Sequence, residues 1–181
     1  SLKCLKYTFN IILAKINEET LSSAARSGSI SCLKYIHKIV KTCPLDCTLL
    51  YAARSGSIEC LKYAHKVIRS TNLYHVLNNA AESGSIECLK YAHEVIKAPK
   101  DYLLLRSAII TSNFECIQYA HNVIDAIVNE ESLSCAARSG NIKNLKYVYE
   151  TCGAKDLDMD TLPFAARSGS IECLVYVNEV I

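Results

Sequence analysis

A single tract recurs along this chain at a nearly constant interval. In one clear copy it reads AARSGSIECLKYAHKVI, and the six copies begin at Ala24, Ala52, Ala80, Ala108, Ala136 and Ala165. Successive copies lie 28 residues apart, except that the last step is 29 residues. A fixed period of this size is typical of stacked-repeat proteins, so each residue is best interpreted by its repeat position. Positions are numbered here from the first alanine, so that Ala80 is position 1 and Ser107 is position 28.

The repeats predict one domain over residues 1–181. The units start near residues 24, 52, 80, 108, 136 and 165, a half repeat occupies residues 1–23, and the last repeat is incomplete. A repeat array adds modules to one continuous core, which favours a single domain at this length. Because the chain opens inside a repeat and ends without the polar cap that such arrays need, we expect an excerpt of a longer protein.

Each repeat is expected to hold two helices joined by a tight turn. Gly56, at position 5, can take the left-handed conformation that ends a helix, and Ser57 can cap the next one. From Ile58 to Ile68 the pattern is amphipathic: positions 10, 13 and 17 face the core, while positions 9, 12 and 16 form one flank and positions 7 and 14 the other. Both flanks are expected to touch neighbouring repeats.

A shorter helix precedes each turn. Leucine stands at position 26 in every copy, and the residue before it, such as Thr48 or Thr161, is a plausible N-terminal cap. The connections between repeats, such as residues 97–103, are about seven residues long and contain Pro and Asp, which is typical of turns. The pattern predicts an all-α fold, and more specifically an αα solenoid.

The sequence from Thr48 to Tyr63, T-L-x-x-A-A-x-x-G-x-I-E-C-L-K-Y, resembles the ankyrin repeat in the order of its residues and, from the leucine onward, in their spacing. The wording C-L-K-Y-A-H, at Cys60–His65 and Cys88–His93, is similar to divergent ankyrin-type repeats of amoebae and of the large DNA viruses that infect them. The resemblance implies a right-handed solenoid of ankyrin-like helix-turn-helix repeats. It also implies a protein-interaction scaffold that is not an enzyme and needs no cofactor.

Two departures from the ankyrin pattern qualify the resemblance. The Pro and His of the ankyrin T-P-L-H tetrapeptide are absent, and each repeat is about five residues shorter than the ankyrin norm of about 33. The missing length lies where ankyrins place their β-hairpin fingers. We therefore expect these fingers to be shortened or absent.

Cysteine and histidine recur at fixed positions, 9 and 14. Equivalent residues of stacked helices lie ~8 to 10 Å apart, too far for disulfides, so we expect free thiols and a reducing compartment. The alternatives are the cytoplasm or nucleus, a host cell, and a virion. The cysteines and histidines lie on opposite flanks, which argues against a metal site. Position 14 instead lies level with the position-12 tyrosine of a neighbouring repeat. This favours a Tyr/His contact, such as Tyr63 with His37 or His93, although independent placement of each ring is an equal alternative.

Composition and motifs exclude several functions. The net charge is only +2 and no Lys/Arg run is present, so binding of nucleic acid is not indicated. No apolar stretch reaches the ~18 residues of a membrane span. The chain contains no G-x-S-x-G, Walker or H-E-x-x-H motif, so we expect no catalytic residues and no small-molecule substrate.

The candidate partner surface lies on the shorter helices, at positions 27, 28, 3 and 4. These positions should face away from the leucines and alanines, and they vary between repeats, as a binding surface requires. The candidate residues are Arg26, Tyr51, Arg54, Asn79, Glu82, Ile110, Arg138, Phe164 and Arg167. The arginines would suit another protein with acidic ends, whereas in the alternative interpretation each pairs with the position-8 glutamate, as Arg54 with Glu59.

Three functions remain open from the sequence. The first is a protein-protein interaction scaffold that uses this surface. The second is a structural or assembly component, for example of a virion or a large complex. The third, a thiol redox or metal-binding protein, has the least support.

Overall fold

A computed structural model of the chain describes residues 2–3, 18–40, 47–69, 72–129, 131–155 and 158–181. These residues form twelve α-helices and contain no strand. The helices are α1 (Glu18–Arg26), α2 (Ile30–Ile39), α3 (Thr48–Arg54), α4 (Ile58–Tyr63), α5 (Val76–Glu82), α6 (Ile86–Glu94), α7 (Leu104–Ile110), α8 (Phe114–Asn122), α9 (Glu131–Arg138), α10 (Ile142–Lys146), α11 (Thr161–Arg167) and α12 (Ile171–Glu179). Two π-helical segments, Ala64–Ile68 and Tyr147–Thr151, extend α4 and α10. The all-α class is thus confirmed.

The chain divides into two compact units, Ser1–Pro99 and Lys100–Ile181. In the first unit α1 packs on α3 and α3 on α5, while α2 contacts α4 and α4 contacts α6. The second unit repeats this order, with α7, α9 and α11 in one row and α8, α10 and α12 in the other. Each odd-numbered helix also packs on the even-numbered helix that follows it. The single continuous repeat domain stays a prediction.

The turn inside each helix pair explains why Ser-Gly-Ser recurs. Gly56 adopts a φ of 71°, in the left-handed region, and the Ser57 hydroxyl accepts the backbone N–H of Cys60 as the cap of α4. The Ser55 hydroxyl closes the turn by donating to the carbonyl of Ala52 at 2.7 Å and accepting the N–H of Ser57. The capping role of position 6 is confirmed. The role of the position-4 hydroxyl, which all six repeats use, was not foreseen.

The predicted core positions are largely confirmed. Position 10 is fully buried in five repeats, as Leu33, Leu61, Leu89, Ile117 and Leu145. The position-26 leucines are buried in the five repeats from Leu21 to Leu133, whereas Leu162 of α11 is 41 % exposed. Burial of each apolar side chain contributes roughly 1.5 to 3 kcal/mol. Packing of these two rows therefore stabilises helices that are too short to be stable alone.

Two local predictions are wrong. Thr48 and Thr161 are the first residues of α3 and α11 and are fully buried, so they are not N-caps. The Thr161 hydroxyl instead donates to the Asp158 carboxylate at 2.7 Å. Position 16 was assigned to a flank that contacts a neighbouring repeat, but its valines are about half exposed. They are Val67 (52 %), Val95 (49 %), Val123 (55 %) and Val180 (53 %).

Candidate protein-interaction surface

The odd-numbered helices place position 3 on the surface in every repeat. Arg26, Arg54, Ile110, Arg138 and Arg167 are exposed, and Glu82 is half-buried. The position follows two alanines in five repeats and Ala108 with Ile109 in the sixth, and all of these residues except Ala166 are buried. Position 3 therefore points outward wherever the short helix forms.

In the first unit, α1, α3 and α5 bring five of the predicted residues into a chain of contacts. The guanidinium carbon of Arg26 lies 5.8 Å from the ring centroid of Tyr51. One turn along α3, Arg54 forms an ion pair with Glu82 at 2.7 Å and also donates to the Asn79 side-chain carbonyl at 3.4 Å. Because Tyr51 and Arg54 are three residues apart on one helix, they share a face.

Arg54 does pair with a glutamate, as the alternative interpretation of the arginines expects, but with a different one. Its partner is Glu82, at position 3 of the next repeat, and not Glu59 at position 8. With the Arg54 side chain 49 % and the Glu82 side chain 28 % exposed, the pair contributes at most about 1 kcal/mol to stability. Its main effect is to neutralise the middle of the surface, whereas Arg26 forms no ion pair with a described residue.

The prediction that Asn79 lies on the exposed face is wrong. Asn79 is only 9 % exposed, and its amide nitrogen donates to the carbonyl of His75 at 2.9 Å. The equivalent residues Ser107 and Cys135 are buried as well, while Tyr51 and Phe164 are half-buried. Position 28 therefore faces the neighbouring odd-numbered helix at Asn79, Ser107 and Cys135, whereas Ser23 of α1 is exposed and the rings of Tyr51 and Phe164 reach the surface in part.

The second unit carries the same arginine-aromatic arrangement. The guanidinium carbon of Arg138 lies 5.4 Å from the ring centroid of Phe164, on the next odd-numbered helix. Ile110 on α7 is 44 % exposed, and Arg167 on α11 is exposed. The structure thus repeats in this unit the contact that Arg26 makes in the other.

Sequence reasoning missed one ion pair on this surface. Arg106 of α7 and Glu131 of α9 are 3.0 Å apart, with side-chain exposures of 36 % and 59 %. Arg106 stands at position 27, which was predicted to be exposed, so its charge was a usable signal. Glu131 lies before the tract that defines the repeat, so the repeat pattern gave no indication of where its side chain would lie.

The Tyr/His contact between successive repeats is confirmed. The Tyr63 hydroxyl oxygen lies 2.9 Å from Nδ1 of His37, and the rings meet edge to face at 5.6 Å. Tyr91 makes the same contact with His65, at 3.1 Å. Burial raises the pKa of the Tyr63 and Tyr91 hydroxyls, so both tyrosines are neutral at physiological pH. These rings are structural joints between helix pairs and are not available to a ligand.

The described cysteines are all free thiols, and most are buried. Burial raises the pKa of the Cys60 and Cys88 thiols, which lowers their nucleophilicity at neutral pH. Within the described ranges, no group of three or more His, Cys, Asp or Glu side chains is placed to hold a metal ion. The position-9 cysteines therefore act as small core residues, in agreement with their predicted role.

Comparison with known proteins gives no relative: neither a family model nor a curated protein sequence matches the chain. Among the helices of the described residues, none combines the length and the apolar character that crossing a bilayer requires.

Proposed function

We propose that this chain is a protein-protein interaction scaffold that binds its partner through the exposed face of the odd-numbered helices. The scaffold would be a right-handed αα solenoid of ankyrin-like repeats with shortened or absent β-hairpin fingers. The proposal is supported by the repeated helix pairs, by the strand-free described connections and by the sequence resemblance. In this proposal the chain has no chemistry of its own, and its free thiols suit a reducing compartment.

The observation that carries the proposal is the recurring arginine-aromatic pair. Arg26 with Tyr51, and Arg138 with Phe164, each combine a guanidinium group and a half-buried ring on neighbouring helices. Neither arginine forms an ion pair with a described residue. Arginine and aromatic side chains dominate the binding energy of protein interfaces, and a guanidinium over a ring keeps its N–H edge free for a carboxylate.

The test is a selection of random peptides on the immobilised protein. We expect enriched peptides that carry acidic residues, and we expect their affinity to fall at least tenfold in the double variant Arg26→Glu, Arg138→Glu, since truncation of a central arginine anchor typically costs about 2 kcal/mol or more. The control reverses two exposed lysines outside the odd-numbered helices, Lys143→Glu with Lys146→Glu. Peptides that bind the arginine variant and the native chain equally would refute the proposal.

A second candidate function, an assembly component, is favoured by an apolar groove of about 560 Å³ beside α11 and α12. Its lining includes Leu162, Pro163, Leu174 and Val175. Leu162 and Leu174 stand at positions whose apolar side chains are buried in the preceding repeats. The same surface would therefore accept a helix pair of another molecule.

Val175 makes this alternative testable. Four other repeats have lysine at this position, as Lys62 in α4, so Val175→Lys should be compatible with the fold. If the chain is an assembly component, sedimentation should show self-association that this substitution abolishes. A monomer at all concentrations would leave the scaffold as the better proposal.

A further inference from the structure

A stripe of basic side chains follows the outer face of the even-numbered helices in the first unit. It occupies positions 11 and 15, which are four residues apart, and position 18, which follows the end of the helix at Arg69 and Lys97. Every member is exposed. This basic stripe consists of Lys34, Lys38, Lys62, Lys66, Arg69, Lys90 and Lys97.

Among the described residues of the first unit, three acidic side chains lie beside the basic stripe. They are Glu59, Glu87 and Glu94, at positions 8 and 15. Seven bases against three acids leave a positive surface, although the net charge of the whole chain is only +2. The basic residues do not form a continuous run in the sequence, because they lie at separate repeat positions. They come together on one surface only when the helix pairs stack.

The corresponding positions of the second unit carry the opposite charge. Its bases there are Lys143 and Lys146. Its acids there are Glu115, Asp125, Glu150, Glu172 and Glu179. The helix pairs thus form with either sign of charge at these positions, so folding does not require the basic residues of the first unit.

The lysines of the stripe are placed in two ways. Lys34 and Lys62 lie over the rings of Tyr63 and Tyr91, with Nζ at 5.7 and 5.8 Å from the ring centroids, which orders them from one repeat to the next. Four further members form no ion pair with a described residue: Lys38, Lys66, Arg69 and Lys97. The stripe therefore offers two ordered lysines and four basic side chains whose charge no described residue neutralises.

We propose that the basic stripe is a second interaction surface, separate from the arginine-aromatic face, and that it binds an acidic segment of another protein. Charge complementarity selects this occupant: several cations at regular intervals match a chain of Asp and Glu side chains. The interspersed Glu59, Glu87 and Glu94 disfavour the continuous charge of a phosphate backbone. Tyr63 and Tyr91 are already packed against histidines, so they are not free to stack on bases.

The experiment measures binding of a fluorescein-labelled oligo-glutamate peptide by fluorescence anisotropy, at low and at physiological salt. We expect binding that weakens with salt and that becomes about tenfold weaker in the double variant Lys38→Glu, Lys66→Glu, because each reversal replaces attraction by repulsion. The milder double variant Lys38→Gln, Lys66→Gln should show a smaller loss. It keeps the test valid if the reversed variant does not fold.

The matched control is Lys143→Glu with Lys146→Glu in the second unit, which changes the net charge by the same amount. We expect it to bind the peptide as the native chain does, and the same holds for Arg26→Glu, Arg138→Glu, which tests the other surface. Absence of binding, or an equal loss in both lysine pairs, would overturn the proposal. So would tighter binding of an oligonucleotide of the same length, or stripe-dependent self-association of the chain.

Discussion

Asn144 offers the sharpest test of how this repeat is stabilised. It stands on α10 at position 9, where most other repeats have cysteine, and it is fully buried. Its side-chain oxygen and nitrogen have no hydrogen-bond partner among the described residues. The substitution that tests this is Asn144→Cys. It introduces the residue that α12 has at the same repeat position, Cys173.

The expected gain follows from the amide that is removed. A buried polar group without partners costs about 1 to 3 kcal/mol relative to its hydrated state in the unfolded chain. The cysteine that replaces it is a small apolar residue of similar size, so it leaves little empty space. Asn144→Cys should therefore raise the free energy of unfolding by about 1 to 3 kcal/mol, and a gain of about 2 kcal/mol corresponds to about 4 to 8 °C in Tm.

Urea denaturation followed by circular dichroism measures this change. The reverse substitution, Cys173→Asn, is the matched control and should destabilise the chain by a similar amount, since it buries a new amide at the same repeat position. Asn144→Ala should gain less than Asn144→Cys, because it removes the amide but leaves a cavity. If Asn144→Cys leaves stability unchanged or lowers it while the fold is retained, the amide is paired in solution and the reasoning is wrong.

Three further predictions concern the turns and the joints. Ser112 takes the left-handed conformation, at φ 58°, that glycine takes in other repeats, so Ser112→Gly should raise the free energy of unfolding by about 0.5 to 1 kcal/mol in the same urea assay. Tyr63→Phe should cost about 0.5 to 1.5 kcal/mol by removing the hydrogen bond to His37, whereas Tyr74→Phe, at an exposed turn, should cost less than about 0.5 kcal/mol. Burial raises the pKa of the Cys152 thiol from about 9 to about 11, so the thiolate forms first in the unfolded chain. The free energy of unfolding should therefore be highest below pH 9 and should decrease as the pH rises to about 11. This decrease should be smaller in Cys152→Ala. An equal decrease in both proteins would contradict the assignment to Cys152.

The features that sequence reasoning predicted well are those fixed inside one repeat. Gly56 and Ser57 determine where a helix ends and the next begins, because left-handed backbone and capping act over a few residues. Leu61 was placed in the core because a helix of known period has one buried face. The contact of Tyr63 with His37 could also be predicted, because the helical period gives the directions of both side chains when two similar helices stack.

Predictions that needed the packing of three helices failed. Asn79 was placed on the surface because position 28 lies opposite the leucine of its own helix. In the folded unit, α5 is also flanked by α3, and Asn79 is buried where Arg54 of that helix contacts it. A helical projection of α5 shows which residues share a face of that helix, but it does not show that α3 packs against one of those faces. No feature of the α5 sequence could therefore have revealed this burial.

The exposed valines at position 16 have a different cause, which lies in the backbone. In α6 and α8 the last turn widens: the N–H of Ile96 donates to the carbonyl of Tyr91, and the N–H of Ile124 to that of Tyr119, five residues back in each case. A projection at 100° per residue assumes bonds to the fourth residue back, so its error accumulates in this turn. Val95 and Val123 are consequently about half exposed, while Ile96 and Ile124, one residue later, keep the core location that was predicted for position 17. The outward valine is therefore a consequence of how these helices end, and it recurs because the ending recurs.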